Sequence, residues 1–363
     1  MKKDILITGA SGFLGLHILK IILSKSDCNV NLLIRRKKDK SADQRGYELV
    51  SHIYKDNINN ISRKIRIIQG EITKENLGIK DVIITKLINT VEEIYHCAAL
   101  TDFSVSWGEV SKVNVYGTEN VLEFAEQCRK IKKVNYISSA FIAGDKEGAF
   151  SENDFDVNQG FNNPYEKSKF EAELLVRKYI SKGLKIKIFR PSILAGVYFD
   201  GEAPSRQMFY QLLRFFYLNL FDEAPLDVDT FYNIIPVDMA AMAIYTLANS
   251  GTASDVYHII SPNNIRLTNI INLSIDFFGF KDCKFTSVKN FDMNKLTPTQ
   301  KKLIKPYLPY FNYKCIFTSK KTEAELKRYN FTYPIINEEY LKRTLNFWIK
   351  SGFLKKFDRK RIT

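Results

Sequence analysis

Tyrosine, lysine and serine side chains at fixed spacings could together supply a proton to a reacting oxygen. Tyr165 and Lys169 are four residues apart, so in a helix they share one face. A free phenol has a pKa of about 10, and a neighbouring ammonium stabilises the phenolate and lowers that value. Ser139 can donate a hydrogen bond to an oxygen on which negative charge develops. This combination predicts a proton donor placed beside a carbonyl group.

A glycine-rich turn about 150 residues earlier predicts a dinucleotide site. Residues 4–8 form a short apolar run, and a helical apolar pattern follows the turn. Gly9 allows the tight turn, Gly12 lets the backbone approach a pyrophosphate, and Gly15 lets the helix pack closely on the strand. Free N–H groups at the helix N-terminus favour phosphates. The predicted cofactor contacts of this turn are Gly9, Ser11, Gly12, Phe13, Leu14 and Gly15.

The residues after the second apolar run indicate which dinucleotide binds. Residues 30–34 lead into Arg35 and Arg36, at the place where an NAD site usually carries an acidic residue. Arginine suits a 2′-phosphate instead, because its guanidinium forms paired hydrogen bonds with phosphate oxygens. We therefore expect NADPH as the cofactor and favour NAD less.

In these motifs the chain resembles the extended short-chain dehydrogenase/reductase family, up to about residue 275. The resemblance implies that Ser139, Tyr165 and Lys169 form the catalytic triad, with Lys169 also holding the nicotinamide ribose. Ser139 matches the family serine because it lies five residues before Gly144. The resemblance also implies that Asn114 supports the lysine through a water molecule.

Further cofactor contacts follow from the same resemblance. The family places the end of its fourth strand near the nicotinamide ribose, another segment beside the nicotinamide ring, and an aspartate near the adenine. The corresponding residues here are Ala98 and Ala99, Pro191 and Ser192, and Glu71 with Ile72. At the adenine position this chain departs from the family pattern, because glutamate replaces aspartate.

Three stretches are more specifically similar to thioester reductases and fatty acyl reductases: residues 8–15, 33–36 and 233–239. Those enzymes reduce an acyl thioester, on coenzyme A or a carrier protein, to an aldehyde or an alcohol. The resemblance therefore implies an acyl thioester substrate. The net positive charge could attract an acidic acyl carrier protein or the phosphates of coenzyme A. The alternative, which we favour, is that the basic residues are spread over solvated faces.

Two alternatives stay open. One is a nucleotide-sugar epimerase or dehydratase, or a hydroxysteroid-type dehydrogenase, on the same fold. Arg35 disfavours the epimerases, which usually hold NAD tightly. The other is a non-catalytic NADP-binding regulator, which the presence of both Tyr165 and Lys169 disfavours.

The elements that must position these residues follow from the hydrophobic pattern. Residues 1–195 alternate strand and helix, which predicts an α/β fold: a Rossmann-type doubly wound parallel sheet that binds NADP. Residues 196–363 are predicted to form a smaller substrate-binding lobe, with a return to the core near residues 233–260. An apolar stripe from Met208 to Leu218 predicts a core helix. Strands are predicted at residues 4–8, 30–34, 65–69, 93–97, 134–138, 185–189 and 256–260.

Composition and charge narrow the class of protein. The 363 residues, 45% of them hydrophobic, can bury a large core. No apolar run approaches the roughly 18 residues of a membrane helix, and no signal peptide is evident, so we expect a cytoplasmic protein without a membrane span. Five scattered cysteines and four unclustered histidines predict neither disulfides nor a metal site. The net charge of +14 comes with no nucleic-acid recognition motif, so no nucleic acid is expected.

Overall fold

The computed structural model describes residues 2–37, 39–53, 64–204, 208–217, 223–252, 255–278 and 283–352. The strands are β1 (Lys3–Thr8), β2 (Cys28–Ile34), β3 (Ile65–Gln69), β4 (Val91–His96), β5 (Lys133–Ile137), β6 (Gly148–Phe150), β7 (Ile186–Pro191), β8 (Ile193–Ala195), β9 (Glu223–Pro225), β10 (Phe231–Tyr232), β11 (Ile234–Pro236), β12 (Asp255–Ile259), β13 (Ile265–Arg266), β14 (Lys284–Thr286) and β15 (Cys315–Phe317). The α-helices are α1 (Phe13–Lys25), α2 (Ala42–Ile53), α3 (Asp81–Thr90), α4 (Trp107–Ser111), α5 (Gly117–Gln127), α6 (Pro164–Ser181), α7 (Met208–Tyr217), α8 (Val237–Ala248), α9 (Leu267–Phe278), α10 (Pro298–Ile304), α11 (Lys320–Arg328) and α12 (Glu338–Lys350).

Seven strands form one sheet in the order β12-β7-β5-β4-β1-β2-β3. The neighbours from β3 across to β7 pair in parallel. Strand β1 has β2 on one side and β4 on the other, so the order of the strands reverses there. Ligands of such sheets bind outside the carboxyl ends of the strands at this reversal. The predicted doubly wound fold is confirmed, and the predicted strand ends differ from the observed ones by at most two residues.

Central strands buried on both faces explain the continuous apolar runs of the sequence. One core cluster joins Leu6 of β1, Ile94 of β4 and Ile188 of β7 to Val121 of α5 and Val176 of α6. This packing fixes α6, the helix that carries the tyrosine and lysine of the predicted site.

The chain divides into two compact units. The first comprises Met1–Ile142, Pro164–Arg190 and Ala241–Tyr257, and the second comprises Ala143–Asn163, Pro191–Ala240 and His258–Thr363. The division predicted at residue 195 differs from this one because the second unit also takes residues 143–163. Residues 241–257 of the first unit lie within the range 233–260 where a return to the core was predicted. Within the second unit, β6 pairs with β15, β8 with β11 and β9 with β14 in parallel, whereas β10 and β13 are antiparallel.

Helices of the second unit agree with the sequence pattern. Helix α7 buries four residues of the predicted apolar stripe, Phe209, Leu212, Leu213 and Phe215, and it also buries Tyr210. The side chains of Met208 and Phe216, and Leu218, lie outside the described residues, as does the tail 355–363. Across the described ranges, no helix has the length and apolar character needed to cross a membrane.

Candidate cofactor and catalytic site

The turn between β1 and α1, and the packing of α1 against that turn, require glycine at two positions. Gly9 has φ of +74°, and a Cβ atom there would lie 2.5 Å from the main-chain nitrogen of Ala98. A Cβ atom on Gly15 would lie 2.3 Å from the Gly9 carbonyl oxygen. Both distances are shorter than real Cβ contacts, so the close approach of α1 to the turn depends on missing side chains. The role predicted for Gly15 in packing has this physical basis.

The N-terminus of α1 presents main-chain N–H groups to the space above the turn. Gly12 is the residue before the first helical turn, and its N–H donates to the Gly9 carbonyl oxygen over 2.9 Å. In the described part of the chain no side chain caps this helix end, and its first turn carries no acidic residue. The partial positive charge of the helix N-terminus is therefore available to an anion such as a phosphate.

A cavity of about 470 Å³ lies at the carboxyl ends of β1, β2 and β4, within the first unit. Its size is in the range of small-molecule sites, about 300–1,000 Å³. Eight of the residues predicted to bind the cofactor line it: Gly9, Ser11, Gly12, Arg35, Glu71, Ile72, Ala98 and Ala99. The cavity therefore brings together the glycine turn, the arginine after β2, the adenine-side segment and the end of β4.

Other predicted contacts do not line this cavity. Leu14 and Gly15 are buried within the packed face of α1, and the exposed Arg36 does not belong to the cavity wall. Phe13 is half-buried and forms an edge contact with His17, with ring centroids 5.8 Å apart. Their assignment as cofactor contacts stays a prediction.

Pro191 and Ser192 belong to the second unit, where Pro191 ends β7. The hydroxyl of Ser192 donates to Oδ1 of Asn233 over 2.7 Å, and its N–H donates to the Ile259 carbonyl oxygen. Their predicted contact with the nicotinamide ring also stays a prediction.

Arg45 is a cavity residue that sequence reasoning missed. It lies in the first turn of α2, lines the cavity beside Arg35, and donates from Nη1 to the Arg35 carbonyl oxygen over 2.5 Å. The sequence carried a signal for this placement. Ser41 and Gln44 form a capping pair, with the Gln44 N–H donating to the Ser41 hydroxyl and the Ser41 N–H to the Gln44 side chain. That pair marks a helix start and puts the next residue, an arginine, close to the end of β2.

Hydrogen bonds fix the main chain of Glu71 and Ile72, the two residues predicted to lie near the adenine. The Glu71 N–H donates to the Leu77 carbonyl oxygen over 2.7 Å, and Nδ2 of Asn120 donates to the Ile72 carbonyl oxygen over 2.6 Å. Thr73 donates to Oε1 of Glu71 over 3.2 Å. The glutamate therefore lines the cavity with a carboxylate already in a local hydrogen bond.

The buried His96 joins three elements through its side-chain hydrogen bonds. Nδ1 of His96 lies 2.7 Å from the Thr8 hydroxyl, and Nε2 lies 3.0 Å from the Thr118 hydroxyl. Burial lowers the pKa of His96 to about 3, and the charge of Lys169 acts in the same direction. The imidazole is therefore neutral at physiological pH, and it links β1, β4 and α5 without adding charge to the site.

The predicted proton donor and the predicted serine meet in the structure. Tyr165 lies in the first turn of α6, close enough to the side chain of Ser139, which follows β5, for that side chain to lower the pKa of Tyr165. The Ser139 hydroxyl also accepts from the Phe141 N–H over 3.2 Å. Phe103 lies beside the Tyr165 ring, with centroids 5.5 Å apart and planes tilted by 31°. Two hydroxyl groups thus converge next to an aromatic side chain.

The pKa of Tyr165 moves in the direction opposite to the one the sequence suggested. Burial raises it, the nearby Ser139 side chain opposes that rise, and the charge of Glu166 adds to it. The ammonium of Lys169 is engaged elsewhere: Nζ donates to the Ile137 carbonyl oxygen over 2.6 Å and lies 4.7 Å from the ring centroid of Tyr136. In this structure Tyr165 is therefore a protonated hydroxyl, as a proton donor must be.

Lys169 is a buried ammonium whose charge is poorly solvated. Burial lowers the pKa of Lys169 to about 7, while the negative charge of Glu173 acts in the opposite direction. Cys97 lines the cofactor cavity, so the lysine lies close to that space. Small changes in its surroundings can move this group between its charged and neutral forms near neutral pH.

Asn114 lies in a π-helical turn, Lys112–Tyr116, between α4 and α5. Such turns occur often at functional sites. Its side chain accepts from the Leu100 N–H over 2.7 Å, and donates to the Leu100 carbonyl oxygen over 2.9 Å and to the Ser168 hydroxyl over 2.8 Å. Asn114 thereby fixes the cavity segment after β4 and the residue next to Lys169. A contact with the lysine through water stays a prediction.

The sequence profile of the male sterility protein family, an NAD-binding family, matches residues 7–244 of this chain. That range covers more than half of the sequence and contains the glycine turn, Ser139, Tyr165 and Lys169. The chain belongs to this family. The predicted membership of the extended short-chain dehydrogenases/reductases, and the class of NAD(P)-dependent reductase, are confirmed.

Curated relatives of the family are much longer proteins. A linear gramicidin synthase of Brevibacillus parabrevis is 24% identical over 370 residues, which cover 96% of this chain and 7% of that protein. Fatty acyl-CoA reductase 1 of Arabidopsis thaliana is 33% identical over 171 residues, which cover 43% of this chain and 35% of that protein. Carboxylic acid reductase of Segniliparus rugosus is 27% identical over 286 residues, 70% of this chain and 24% of that protein. The chain thus spans about a third or less of the length of these relatives.

Solved structures support the fold. The terminal R domain of the myxalamid biosynthetic pathway has a TM-score of 0.82 at 21% identity, covering 98% of this chain and 92% of that one. An archaeal thiolation-reductase di-domain has a TM-score of 0.78 at 22% identity, covering 98% and 76%. A UDP-glucuronic acid 4-epimerase from Bacillus cereus with NAD bound has a TM-score of 0.68 at 17% identity, covering 98% and 99%. The fold is therefore shared by reductase domains and epimerases.

The residues of the first unit fit a nicotinamide dinucleotide. The glycine turn leaves space that a Cβ atom would fill, the uncapped N-terminus of α1 suits the pyrophosphate, and the cavity runs from that turn to Glu71 on one side and Ala98 on the other. Arg35 and Arg45 add cationic groups at the same cavity. The residues that line this cavity therefore fit a dinucleotide of the NAD(P) type.

Proposed function

We propose that this protein uses NADPH to reduce an acyl thioester to an aldehyde or an alcohol. The observation that carries the proposal is that the Ser139 and Tyr165 side chains lie close together beside Phe103, so that two hydroxyls can bind one carbonyl oxygen. Similarity to fatty acyl-CoA reductases and a carboxylic acid reductase supports the choice of substrate class.

The roles of the catalytic residues follow from their positions. Ser139 and Tyr165 donate hydrogen bonds to the carbonyl oxygen as negative charge develops on it. Tyr165 then gives its proton to that oxygen, and its neutral state in the structure is the form that this step requires. The resulting thiohemiacetal breaks its C–S bond and passes its hydroxyl proton to the sulfur, which releases the aldehyde and the free thiol of coenzyme A or the carrier. An alcohol product requires a second NADPH and a second proton. Lys169 supplies a buried positive charge one helical turn from Tyr165, with its Nζ held by the Ile137 carbonyl oxygen in this structure, and Asn114 holds the cavity segment at Leu100.

The cofactor side of the site is assigned to the cavity residues. NADPH, when bound, supplies the hydride that reduces the carbonyl carbon. The turn at Gly9 and Gly12 holds the pyrophosphate, and Arg35 with Arg45 holds the 2′-phosphate. A pair of arginines at this end of the cavity favours NADPH over NADH, because NADH has no phosphate there to bind.

The partner that presents the substrate is proposed to be an acyl carrier protein or coenzyme A. Solved neighbours include a thiolation-reductase di-domain, in which a reductase and a thiolation domain share one protein. Carrier proteins are acidic, and the net charge of +14 favours their approach through long-range attraction.

A direct assay tests the proposal. Purified protein is mixed with NADPH and a panel of acyl-CoA, acyl-pantetheine and acyl-carrier-protein thioesters, and loss of NADPH absorbance is followed. We expect thioester-dependent oxidation of NADPH, slower oxidation of NADH, and an aldehyde or alcohol product by mass spectrometry.

A UDP-sugar and a secondary alcohol serve as the competing substrates. Turnover of either one, with no oxidation of NADPH by any thioester, would reject the assignment of substrate and leave the cofactor site intact.

A further inference from the structure

One buried carboxylate near the proposed catalytic residues has no role in the proposed steps of the reduction. Glu173 lies on α6, one turn after Lys169, and is fully buried. Its Oε1 accepts from Nη2 of Arg190 over 2.6 Å and its Oε2 accepts from Nε over 3.1 Å. Arg190 is fully buried as well. An ion pair removed from water in this way is costly unless its hydrogen bonds are well satisfied.

The other partners of Glu173 satisfy it and tie three elements together. The Ser138 hydroxyl donates to Oε2 over 2.7 Å, and Arg177 donates to Oε1 from Nε and Nη2 over 3.1 and 2.9 Å. The N–H of Ser138 donates to the Phe189 carbonyl oxygen over 2.7 Å. One carboxylate thus joins the end of β5, strand β7 and helix α6.

These contacts act on the neighbours of the reacting groups. Ser138 precedes Ser139, so fixing its side chain fixes the backbone that presents the next hydroxyl. Lys169 donates to the carbonyl oxygen of Ile137, the residue on the other side of Ser138. Helix α6 carries Tyr165, and the end of β5 leads to Ser139. Glu173 and Lys169 each connect this helix to this strand end.

We propose that Glu173 is the positioning residue of this site: through Ser138 and Arg190 it sets the distance between Ser139 and the helix that carries Tyr165. Its negative charge also favours the ammonium form of Lys169. The inference rests on the proposed function for the roles of Ser139 and Lys169.

The charges around both groups support the electrostatic part. Lys169 is faced by Glu173 on its own helix, by Cys97 and His96 at the end of β4, and by the Tyr136 ring on β5. Glu173 raises the pKa of Lys169 against the effect of burial. Glu173 is faced in turn by Arg190, Arg177, Ser138 and Tyr136, and the two arginines hold its own pKa below the usual value against burial. The carboxylate therefore stays charged over the pH range in which the lysine titrates.

The test separates charge from position. Glu173→Gln removes the charge, Ser138→Ala removes only the link to the strand end, and Glu171→Gln is the control. Glu171 lies on the same helix and its partner is the exposed Lys167, 3.8 Å away. Two readouts are used: the titration of Lys169, by NMR of protein with ¹³C at lysine Cε and with Lys169→Met for assignment, and the pH profiles of kcat and KM for thioester reduction.

We expect the Lys169 titration, and the alkaline limb of kcat, to move to lower pH in Glu173→Gln and to stay in place in Glu171→Gln. The direction follows because a lysine that loses its carboxylate neighbour releases its proton more readily. Ser138→Ala is expected to lower kcat by roughly 10- to 100-fold with little change in KM, since a misplaced reacting group can cost about that much.

Glu173→Gln leaves Arg190 buried beside a neutral amide and can prevent folding. The double variant Glu173→Leu/Arg190→Met removes both charges and is used in that case, with the same expected direction of the Lys169 titration. Thermal melting confirms that each variant is folded.

A folded Glu173→Gln or double variant with an unmoved Lys169 titration would overturn the electrostatic role, and unchanged kcat in Ser138→Ala would overturn the positioning role. The NMR readout needs no substrate. If the Lys169 titration shifts in the Glu173 variants while the wild-type protein reduces no thioester, the proposed function is wrong. The effect of Glu173 on Lys169 is confirmed in that case. If Tyr165→Phe abolishes thioester reduction while the Glu173 and Ser138 variants behave as wild type, the proposed function stands and this inference fails.

Discussion

The cavity proposed to bind the cofactor and the cluster proposed to carry out catalysis lie in the same unit but are built in different ways. The cavity is shaped by main chain: glycines without side chains, the uncapped start of α1 and the carbonyl and N–H groups after β1 and β4. The cluster of Ser139, Tyr165 and Lys169 is shaped by side chains, and its support is a buried ion pair between Glu173 and Arg190.

The difference predicts how each region responds to change. We call the main chain around Gly9, Gly12 and Gly15 the cradle. The cradle does not tolerate an added side chain, because moving closely packed backbone costs free energy. A cluster of buried polar side chains is sensitive to the loss of one hydrogen bond or one charge, because each partner left behind stays buried without its match.

Removal of the Tyr165 hydroxyl should have the largest effect. Tyr165→Phe keeps the ring beside Phe103 and removes only the proposed proton donor, so kcat should fall by about 10²–10⁴-fold. NADPH binding, measured by fluorescence titration, should be unchanged. Full activity in this variant would show that Tyr165 is not the proton donor. Of the two regions compared, the cavity would then keep its proposed function and the cluster would not.

Added volume in the cradle should have the next largest effect. Gly15→Ala places a Cβ atom 2.3 Å from the Gly9 carbonyl oxygen, so α1 must shift at a cost of about 1–3 kcal/mol. We expect weaker NADPH binding and a lower Tm.

Gly108→Ala is the matched control for that variant, since a Cβ atom on this helical glycine meets nothing within 4 Å. Equal behaviour of the two alanine variants would show that the cradle tolerates volume after all.

Loss of one cavity arginine should have the smallest effect. Arg45→Gln should lower the preference for NADPH over NADH by about tenfold, which corresponds to roughly 1.4 kcal/mol. The comparison variant is Arg36→Gln, because Arg36 is exposed and does not line the cavity. Binding constants for both cofactors measure the preference. If Arg36→Gln has the larger effect, the 2′-phosphate lies on the outer side of β2 and the sequence prediction for Arg36 is the correct one.

The contrast also explains which parts of the site could be predicted from the sequence. The cradle is local: Gly9, Gly12 and Gly15 fall within seven residues, and the strand and helix around them follow from apolar periodicity. Tyr165 and Lys169 are also local, since one helical turn separates them. Arg45 was missed because its place beside Arg35 depends on where α2 begins after a polar loop.

The sequence by itself determined the order of the strands and helices, the glycine turn and the identity of the hydroxyl and ammonium groups, because these depend on neighbouring residues and on short periodic patterns. Only the tertiary structure decided the state of those groups. Burial, rather than the nearby ammonium, sets the direction of the Tyr165 pKa, and the balance between burial and Glu173 sets that of Lys169. Desolvation and buried charge pairs depend on residues far apart in the chain, such as Ser138 with Glu173, and spacing along the sequence does not encode those distances.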